Sequence, residues 1–370
     1  LGSSGLSGEL TVTSESGNIS SYPSEIQVKS GDLTMTADTG SIDAGGYIYI
    51  DDGGAALSAG QGIYLGGLTL ESYGTEGAIT VTAMGGDLTS SYGSIRNYGS
   101  GGIALSASAG MFIDSGGVSS YGGAMTLSAV GDIDVDAQLR AAVDLSLDSI
   151  AGSIETGGEI VAGGNMALNA SELIDIQSSL EAPDDISVVS SAGDITTSGD
   201  ITSSGDAMLS AGGDVGIMDA TLSAVGIEIT SGGGLTTTGT GLISGDTLTT
   251  SSVTGTDIKT AVGTLSFSNT GTGDVLVDNT GGMTVTGSNL GGSVGLMTHS
   301  PLTVGVSGVS SFGDISLTAA GKAGAEDDNL TILGSVTSTS GDIELFADDS
   351  IFQDADVTTG IGDVTATAES

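Results

Sequence analysis

Cysteine and tryptophan are absent from this chain of 370 residues, and proline occurs only 3 times. Without cysteine the chain folds without disulfides, which is compatible with both the cytosol and the cell exterior. Without tryptophan, tyrosine is the residue available for stacking on a sugar ring. Glycine and proline together make up 68 of 370 residues, about 18%, which is below the roughly 25–30% typical of low-complexity disorder. The composition therefore indicates a folded chain, and the absence of a Gly-X-Y period excludes collagen.

Basic side chains are also scarce, with 5 against 46 acidic ones and a formal net charge of −41. The five are scattered along the chain, at Lys29, Arg96, Arg140, Lys259 and Lys322. They cannot form the cationic patch that a phosphate backbone requires, so nucleic acid is excluded as a partner. Anionic membrane surfaces are excluded as direct ligands for the same reason, unless divalent cations bridge the two. No run of 18 apolar residues is present that would predict insertion into a membrane.

Apolar residues recur with a period of about 21 residues. A first column keeps close to this period, with intervals that shorten along the chain, and consists of Met35, Leu57, Val81, Leu105, Leu127, Leu147, Leu168, Val188, Leu209, Ile229, Leu248, Phe267, Val285 and Val304. A second column, half a period away, has nearly constant intervals and consists of Ile113, Ile133, Ile154, Ile174, Ile195, Val215 and Leu235. Two columns that share one period indicate a repeat protein.

Each repeat alternates apolar and polar residues, as in the segments 33–37 and 79–83, which is the period of a half-buried β-strand. Gly-Asp steps such as Gly131-Asp132 and Gly193-Asp194 separate the strands, and we expect the aspartates to bond their own backbone at these corners. No stretch shows a helical period. The sequence therefore predicts an all-β fold, a right-handed parallel β-helix (solenoid) with about 21 residues per coil. About 17 coils, with strands about 4.8 Å apart, would form a rod about 80 Å long.

The regularity decreases toward the carboxyl terminus. We predict regular β-helix coils over residues 1–300 and less regular coils over 301–370, with an inserted loop near 321–328. No polar capping helix is predicted at either end, and uncapped coils favour end-to-end stacking with another copy of the chain.

Several repeats carry a Gly-Asp step followed by an alternating strand, at positions 86–89, 131–137 and 313–319. From about residue 8 to 365 this style of repeat resembles that of filamentous-haemagglutinin-like adhesins, which are long β-helices on bacterial surfaces. The resemblance implies secretion across the outer membrane of a Gram-negative cell. It also implies a role in attachment or in surface structure, with a host or neighbouring cell surface, or its glycans, as partner.

An acidic column is predicted beside the second apolar column. Asp114, Asp134, Glu155 and Asp175 recur once per period on outward positions, and Asp132 and Asp136 extend the column sideways. Carboxylates about 5 Å apart repel each other by roughly 1 kcal/mol in water, and Ca²⁺ would relieve that repulsion. The alternative is a solvated acidic face that prevents lateral aggregation. The fold itself requires no cofactor.

Other outward residues allow two further hypotheses. Tyr73, Tyr98 and Tyr121, with Tyr92 between them, predict an aromatic stack at one corner, which we favour over a platform for sugars. A row of hydroxyl side chains could bind ice, and it comprises Thr36, Ser58, Thr82, Ser106 and Ser128. Asp148, Asn169 and Val189 interrupt that row, which argues against ice binding.

Enzymes that act on polysaccharides are the rival class, since some of them are β-helices. Acidic pairs such as Asp184-Asp185 and Asp348-Asp349 carry little information, because neighbouring strand residues point to opposite faces. His299, the single histidine, lies in no recognisable motif. We therefore expect no catalysis and predict an extracellular, rod-like scaffold for adhesion or for a surface filament. A self-assembling filament without a receptor is the main alternative.

Overall fold

A computed structural model of the chain describes residues 3–321 and 328–369. These residues form parallel β-strands and no helix, as the sequence predicts. The chain divides into two compact units, Leu1–Ser191 and Ala192–Ser370. The predicted boundary near residue 300 stays a prediction, and most of the predicted loop at 321–328 lies outside the described residues.

The first unit is a β-solenoid whose coils pair with the coils before and after them. Its strands are β1 Ser3–Ser7, β2 Leu10–Ser14, β3 Ile19–Ser30, β4 Leu33–Ala37, β5 Ile42–Ile50, β6 Ala55–Ala59, β7 Ile63–Gly66, β8 Leu68–Ser72, β9 Ile79–Ala83, β10 Leu88–Ser91, β11 Ser94–Asn97, β12 Ile103–Ala107, β13 Met111–Ile113, β14 Val118–Ser120, β15 Met125–Ala129, β16 Ile133–Val135, β17 Leu139–Ala141, β18 Leu145–Ser149, β19 Ile154–Thr156, β20 Ile160–Ala162, β21 Met166–Ala170, β22 Ile174–Ile176, β23 Leu180–Ala182 and β24 Ile186–Ser190.

Three ladders of parallel strands run through this unit. The first ladder consists mainly of five-residue strands, such as β12, β15 and β18, and the other two contain shorter strands, such as β13 and β16, and β14 and β17. Each strand of the first ladder pairs with the equivalent strand one coil later, from Leu33 opposite Ala55 to Met166 opposite Ile186. The right-handed sense of the winding stays a prediction.

The second unit is a β-solenoid of the same kind. Its strands are β25 Ile195–Thr197, β26 Ile201–Ser203, β27 Ala207–Ala211, β28 Val215–Met218, β29 Thr221–Ser223, β30 Gly226–Ser231, β31 Leu235–Thr238, β32 Leu242–Ser252, β33 Thr256–Asn269, β34 Val275–Asn279, β35 Met283–Asn289, β36 Val294–Thr298, β37 Leu302–Ser311, β38 Ile315–Ala319, β39 Leu330–Ile332, β40 Val336–Ser338, β41 Ile343–Ala347, β42 Ile351–Gln353, β43 Val357–Thr359 and β44 Val364–Ala368.

The coils of the second unit change from three strands to two and back again. Strands β34 and β35 form one coil and β36 and β37 form the next, whereas β38, β39 and β40 again make three. A coil with two strands has one corner fewer and therefore needs fewer residues. This accounts for the shorter intervals of the first apolar column in that part of the sequence.

The core of each unit is a narrow stack of inward side chains. Alternate residues of a strand are buried and accessible, as in β15, where Met125, Leu127 and Ala129 are buried. Each buried Leu, Ile, Met or Val contributes about 1.5–3 kcal/mol through removal from water. The predicted division between large apolar residues inside and polar residues outside is confirmed.

Both predicted apolar columns are wrong at particular coils, where the residue that pairs lies two positions away from the predicted one. Ile229 pairs with Thr250 rather than Leu248, and Leu248 pairs with Leu265 rather than Phe267. In the second column Ile133 pairs with Met111 rather than Ile113. A shift of two keeps an inward residue inward, so the alternation is preserved and burial alone cannot reveal the shift.

Polar side chains also occupy inward positions at one corner of the second unit. They hydrogen-bond to turn carbonyls: Ser231 Oγ donates to Gly213 O at 2.8 Å, and Ser338 Oγ to Gly313 O at 2.8 Å. Between them, Asn269 Nδ2 donates to Asn289 Oδ1 at 2.8 Å. These bonds satisfy buried polar groups where the strands end.

Candidate functional site

The structure brings together three of the four carboxylates of the acidic column. Asp134, Glu155 and Asp175 lie opposite one another on β16, β19 and β22. Asp114 is not in this row, because Phe112 occupies the position opposite Asp134. Asp114 lies two positions after Phe112, just beyond the end of β13. The regular spacing in the sequence therefore does not bring Asp114 opposite Asp134.

Asp114 and Asp136 nevertheless lie close enough to act on Asp134. Partial burial raises the pKa of Asp134, and repulsion from Asp136, Glu155 and Asp114 raises it further. An amide side chain bridges two members of the row, since Gln177 Nε2 donates to Glu155 Oε1 at 2.7 Å and to Asp175 Oδ2 at 2.9 Å. This bridge relieves part of the repulsion, and the sequence did not predict it.

No group of three or more His, Asp or Glu side chains in the described part of the chain is arranged to hold a metal ion. The predicted cation column at Asp114, Asp132, Asp134, Asp136, Glu155 and Asp175 stays a prediction.

Asp132 belongs to a different structural feature, a set of corner aspartates that connect successive coils. Its Oδ1 accepts a hydrogen bond from the Ser153 N–H, one coil later, at 2.9 Å. The same bond, from an oxygen of Asp to a backbone N–H of the next coil at 2.7–3.0 Å, is formed by Asp32, Asp87, Asp144, Asp194, Asp200, Asp206, Asp214, Asp219, Asp274, Asp314 and Asp342.

These corner bonds give many of the acidic residues a structural role. We expected the corner aspartates to bond their own backbone, but in each of these bonds the donor lies in the next coil, far away in sequence. A negative acceptor forms a stronger hydrogen bond to an N–H than a neutral one does. About a quarter of the acidic residues, 12 of 46, therefore take part in the stacking between coils.

The stack predicted for Tyr73, Tyr98 and Tyr121 is confirmed, whereas Tyr92 forms no stacked ring pair among the described residues. The ring centroids of Tyr73 and Tyr98 are 4.6 Å apart, and those of Tyr98 and Tyr121 are 4.7 Å apart, with nearly parallel planes. Both faces of the Tyr98 ring, and one face each of the Tyr73 and Tyr121 rings, are covered by a neighbouring ring. This geometry supports the structural interpretation over a sugar platform.

Glu71 anchors the stack and an ion pair. Its Oε2 accepts a hydrogen bond from Tyr73 Oη at 2.7 Å, and its Oε1 pairs with Arg96 Nη1 at 2.9 Å. The hydrogen bond to Glu71 is the largest cause that raises the pKa of Tyr73, followed by burial. Glu71 is thus a buried acid that is satisfied by two partners.

The hydroxyl row forms as expected, from Thr36 to Ser128 along the first ladder, and continues through Asp148, Asn169 and Val189. His299 has a hydrogen-bond partner that the sequence did not predict, since its Nε2 lies 3.0 Å from Asp278 Oδ1. Both side chains are about half exposed.

Two depressions in the surface combine polar and apolar groups. In the second unit, a groove of about 530 Å³ runs along β25, β28, β31 and β33, and Asp194, Asp214, Asp257 and Asp274 contribute to its lining. In the first unit, a recess of about 410 Å³ is lined by Tyr22, Asp43, Tyr64, Gly66, Gly67 and Tyr92. We call the second depression the tyrosine recess.

Comparisons with protein-family models, with curated proteins and with solved structures found no match to this chain. Strand pairing alone therefore identifies the class of protein, a parallel β-solenoid repeat protein. Among the described residues, no helix is long and apolar enough to cross a membrane.

Proposed function

We propose that this chain is a rod-like extracellular scaffold of a bacterial surface, of the kind seen in filamentous-haemagglutinin-like adhesins, and that it acts in adhesion or as part of a surface filament. The observation that carries the proposal is the regular pairing of coil on coil within each unit. Backbone ladders of this kind resist bending, and hydrogen-bonded aspartates at the corners add to them. Under this proposal the chain has no catalytic site and requires no cofactor.

The surface chemistry supports attachment rather than catalysis. Outward Ser, Thr and Asp side chains recur over several successive coils, so a weak contact made by one coil can be made again by the next, which raises the overall affinity. The net charge of −41 keeps neighbouring rods apart and favours neutral partners such as uncharged glycans.

Electron microscopy of the purified chain and binding to surfaces test this proposal together. We expect narrow rods of uniform length that bind to cells or immobilised glycans. Compact particles would contradict the scaffold, and rods that bind neither would contradict a role in adhesion.

A self-assembling structural filament without a receptor is the second candidate. The parallel ladders that pair coil with coil within each unit could also pair one copy of the chain with another. Fibres that lengthen as the protein concentration rises would favour this candidate, whereas rods of constant length would exclude it.

A further inference from the structure

The tyrosine recess is a gap in one corner of the first unit. At the corner between the second and third ladders, successive coils place Tyr22, then Gly45, then Gly66 and Gly67, then Tyr92. With about 4.8 Å between coils, the backbones of Tyr22 and Tyr92 are about 14 Å apart. Two coils that carry only glycine at this corner therefore lie between two coils that carry a tyrosine.

The glycines make room for aromatic rings. A Cβ atom at Gly45 would lie 2.1 Å from Cδ2 of Tyr22, and one at Gly66 would lie 2.3 Å from Cε1 of Tyr64. Both rings thus rest directly against glycine backbone, which no other residue would allow without moving them. Tyr22 and Tyr64 remain 68% and 47% exposed, so their other surfaces face solvent.

These rings differ from the tyrosine stack described above. Among the described residues the stacked ring pairs involve Tyr47 with Tyr49, and Tyr98 with Tyr73 and Tyr121. The three rings of the recess take no part in those pairs. No other ring covers them, so the exposed surfaces of Tyr22, Tyr64 and Tyr92 can contact a ligand, whereas in the stack both faces of Tyr98 are covered by rings.

Tyr92 is held in an unfavourable backbone conformation. Its φ is +58°, in the left-handed region that bulky residues avoid, and its side chain is 87% exposed. The Tyr92 N–H donates to Ser115 Oγ at 2.8 Å, which holds the turn in place. Packing does not explain a strained and exposed aromatic residue, and strained residues of this kind concentrate at binding sites.

Polar groups converge on the same recess. Asp43 lies beside Tyr64 on the outward face of the second ladder, and both also line an adjoining groove of about 530 Å³ with Gln61 and Asp87. Exposed aromatic faces next to a carboxylate match a pyranose ring, whose C–H groups pack on an aromatic face while its hydroxyls donate to the carboxylate.

We propose that the tyrosine recess binds a neutral oligosaccharide that contacts both Tyr22 and Tyr92 and has a hydroxyl bonded to Asp43. The inference deepens the proposed adhesive function, on which it rests for its biological role. An acidic sugar is disfavoured by Asp43 and by the net charge. A quaternary ammonium ion could stack on the same rings, and choline is therefore included in the test as the competing ligand.

Binding of the full chain to an array of neutral, sialylated and sulfated oligosaccharides tests the proposal, followed by calorimetry with the best neutral ligand and with choline. We expect binding to neutral glycans and at least a tenfold loss of affinity in Tyr92→Gly and in Tyr22→Ala. Tyr92→Gly should fold normally, since glycine adopts positive φ without strain, and thermal melting will confirm this. Tyr121→Ala, at the end of the tyrosine stack, is the matched control and should bind as the unmodified chain does.

Affinity that is unchanged in both recess variants would overturn the proposal, as would binding of choline or sialylated glycans in place of neutral ones. Failure of the recess and failure of the proposed function can be told apart. Rods that bind cells equally well with and without Tyr92→Gly would leave adhesion standing and remove the recess from it. Saccharide binding by a chain that forms no rods would support the recess and contradict the scaffold.

Discussion

At the scale of single residues, the corner aspartates show how an acidic composition can stabilise a fold. We expect Asp132→Ala to lower the free energy of unfolding by about 1 kcal/mol, because the Ser153 N–H loses its charged acceptor. Urea unfolding followed by circular dichroism measures the change. Asp132→Asn is the control, since its side-chain oxygen can still accept the bond and should retain most of the stability. Equal losses in the two variants would contradict a role for the hydrogen bond.

Asp134 should have the opposite effect, because its charge is unfavourable in the folded chain. Burial and the carboxylates around it raise its pKa above the ordinary value of 3.8, so the folded state binds this proton more tightly than the unfolded state does. Its contribution to stability therefore decreases as the pH rises from 3.8 through the raised pKa. We expect Asp134→Asn to raise the urea midpoint at neutral pH and to leave it unchanged below pH 3.8. A lower midpoint at neutral pH would show that Asp134 is stabilising.

At the scale of strands and corners, glycine is required where coils approach closely. At Gly116, φ is +91°, and a Cβ atom would lie 1.2 Å from the carbonyl oxygen of Gly93 in the preceding coil. We expect Gly116→Ala to lower the free energy of unfolding by about 3 kcal/mol, since the backbone itself must move. Thermal melting and urea unfolding will measure it.

Gly67 provides the matched control at the same corner. Its φ is +67°, but no atom lies within 4 Å of a Cβ atom placed there. Gly67→Ala should therefore cost only the conformational strain, about 1 kcal/mol. If both variants lose the same stability, the close approach of the coils at Gly116 has no energetic consequence.

At the scale of the whole molecule, repulsion among acidic side chains should make stability depend on salt. Raising NaCl from roughly 0.01 to 0.1 M shortens the Debye length from about 30 to about 10 Å and so screens much of the repulsion from a net charge of −41. We expect the thermal midpoint to rise over this range, measured by calorimetry. A midpoint that falls with salt would mean that attractive pairs such as Arg96 with Glu71 dominate instead.

Calcium at matched ionic strength distinguishes the two interpretations of the acidic column. If the column at Asp134, Glu155 and Asp175 is a solvated face, CaCl₂ should raise the midpoint no more than NaCl does. A larger rise that Asp134→Asn abolishes would support the predicted cation column.

The sequence by itself determined the period, the alternation of the strands and the tyrosine stack. These features are local or strictly periodic: neighbouring strand residues point to opposite faces, and side chains such as Tyr98 and Tyr121 recur once per coil. Strands and inward positions could therefore be predicted without knowing how the corners close.

Only the tertiary structure decided which residues lie opposite one another and what the corners bind. Corner lengths vary from coil to coil, so Asp134 faces Phe112 rather than Asp114. Corner aspartates accept hydrogen bonds from N–H groups of the next coil, which are too far away in the sequence for any local rule to predict. The tyrosine recess needs two coils without a side chain at one corner, between Tyr22 and Tyr92, and this gap arises only when the coils are stacked in register.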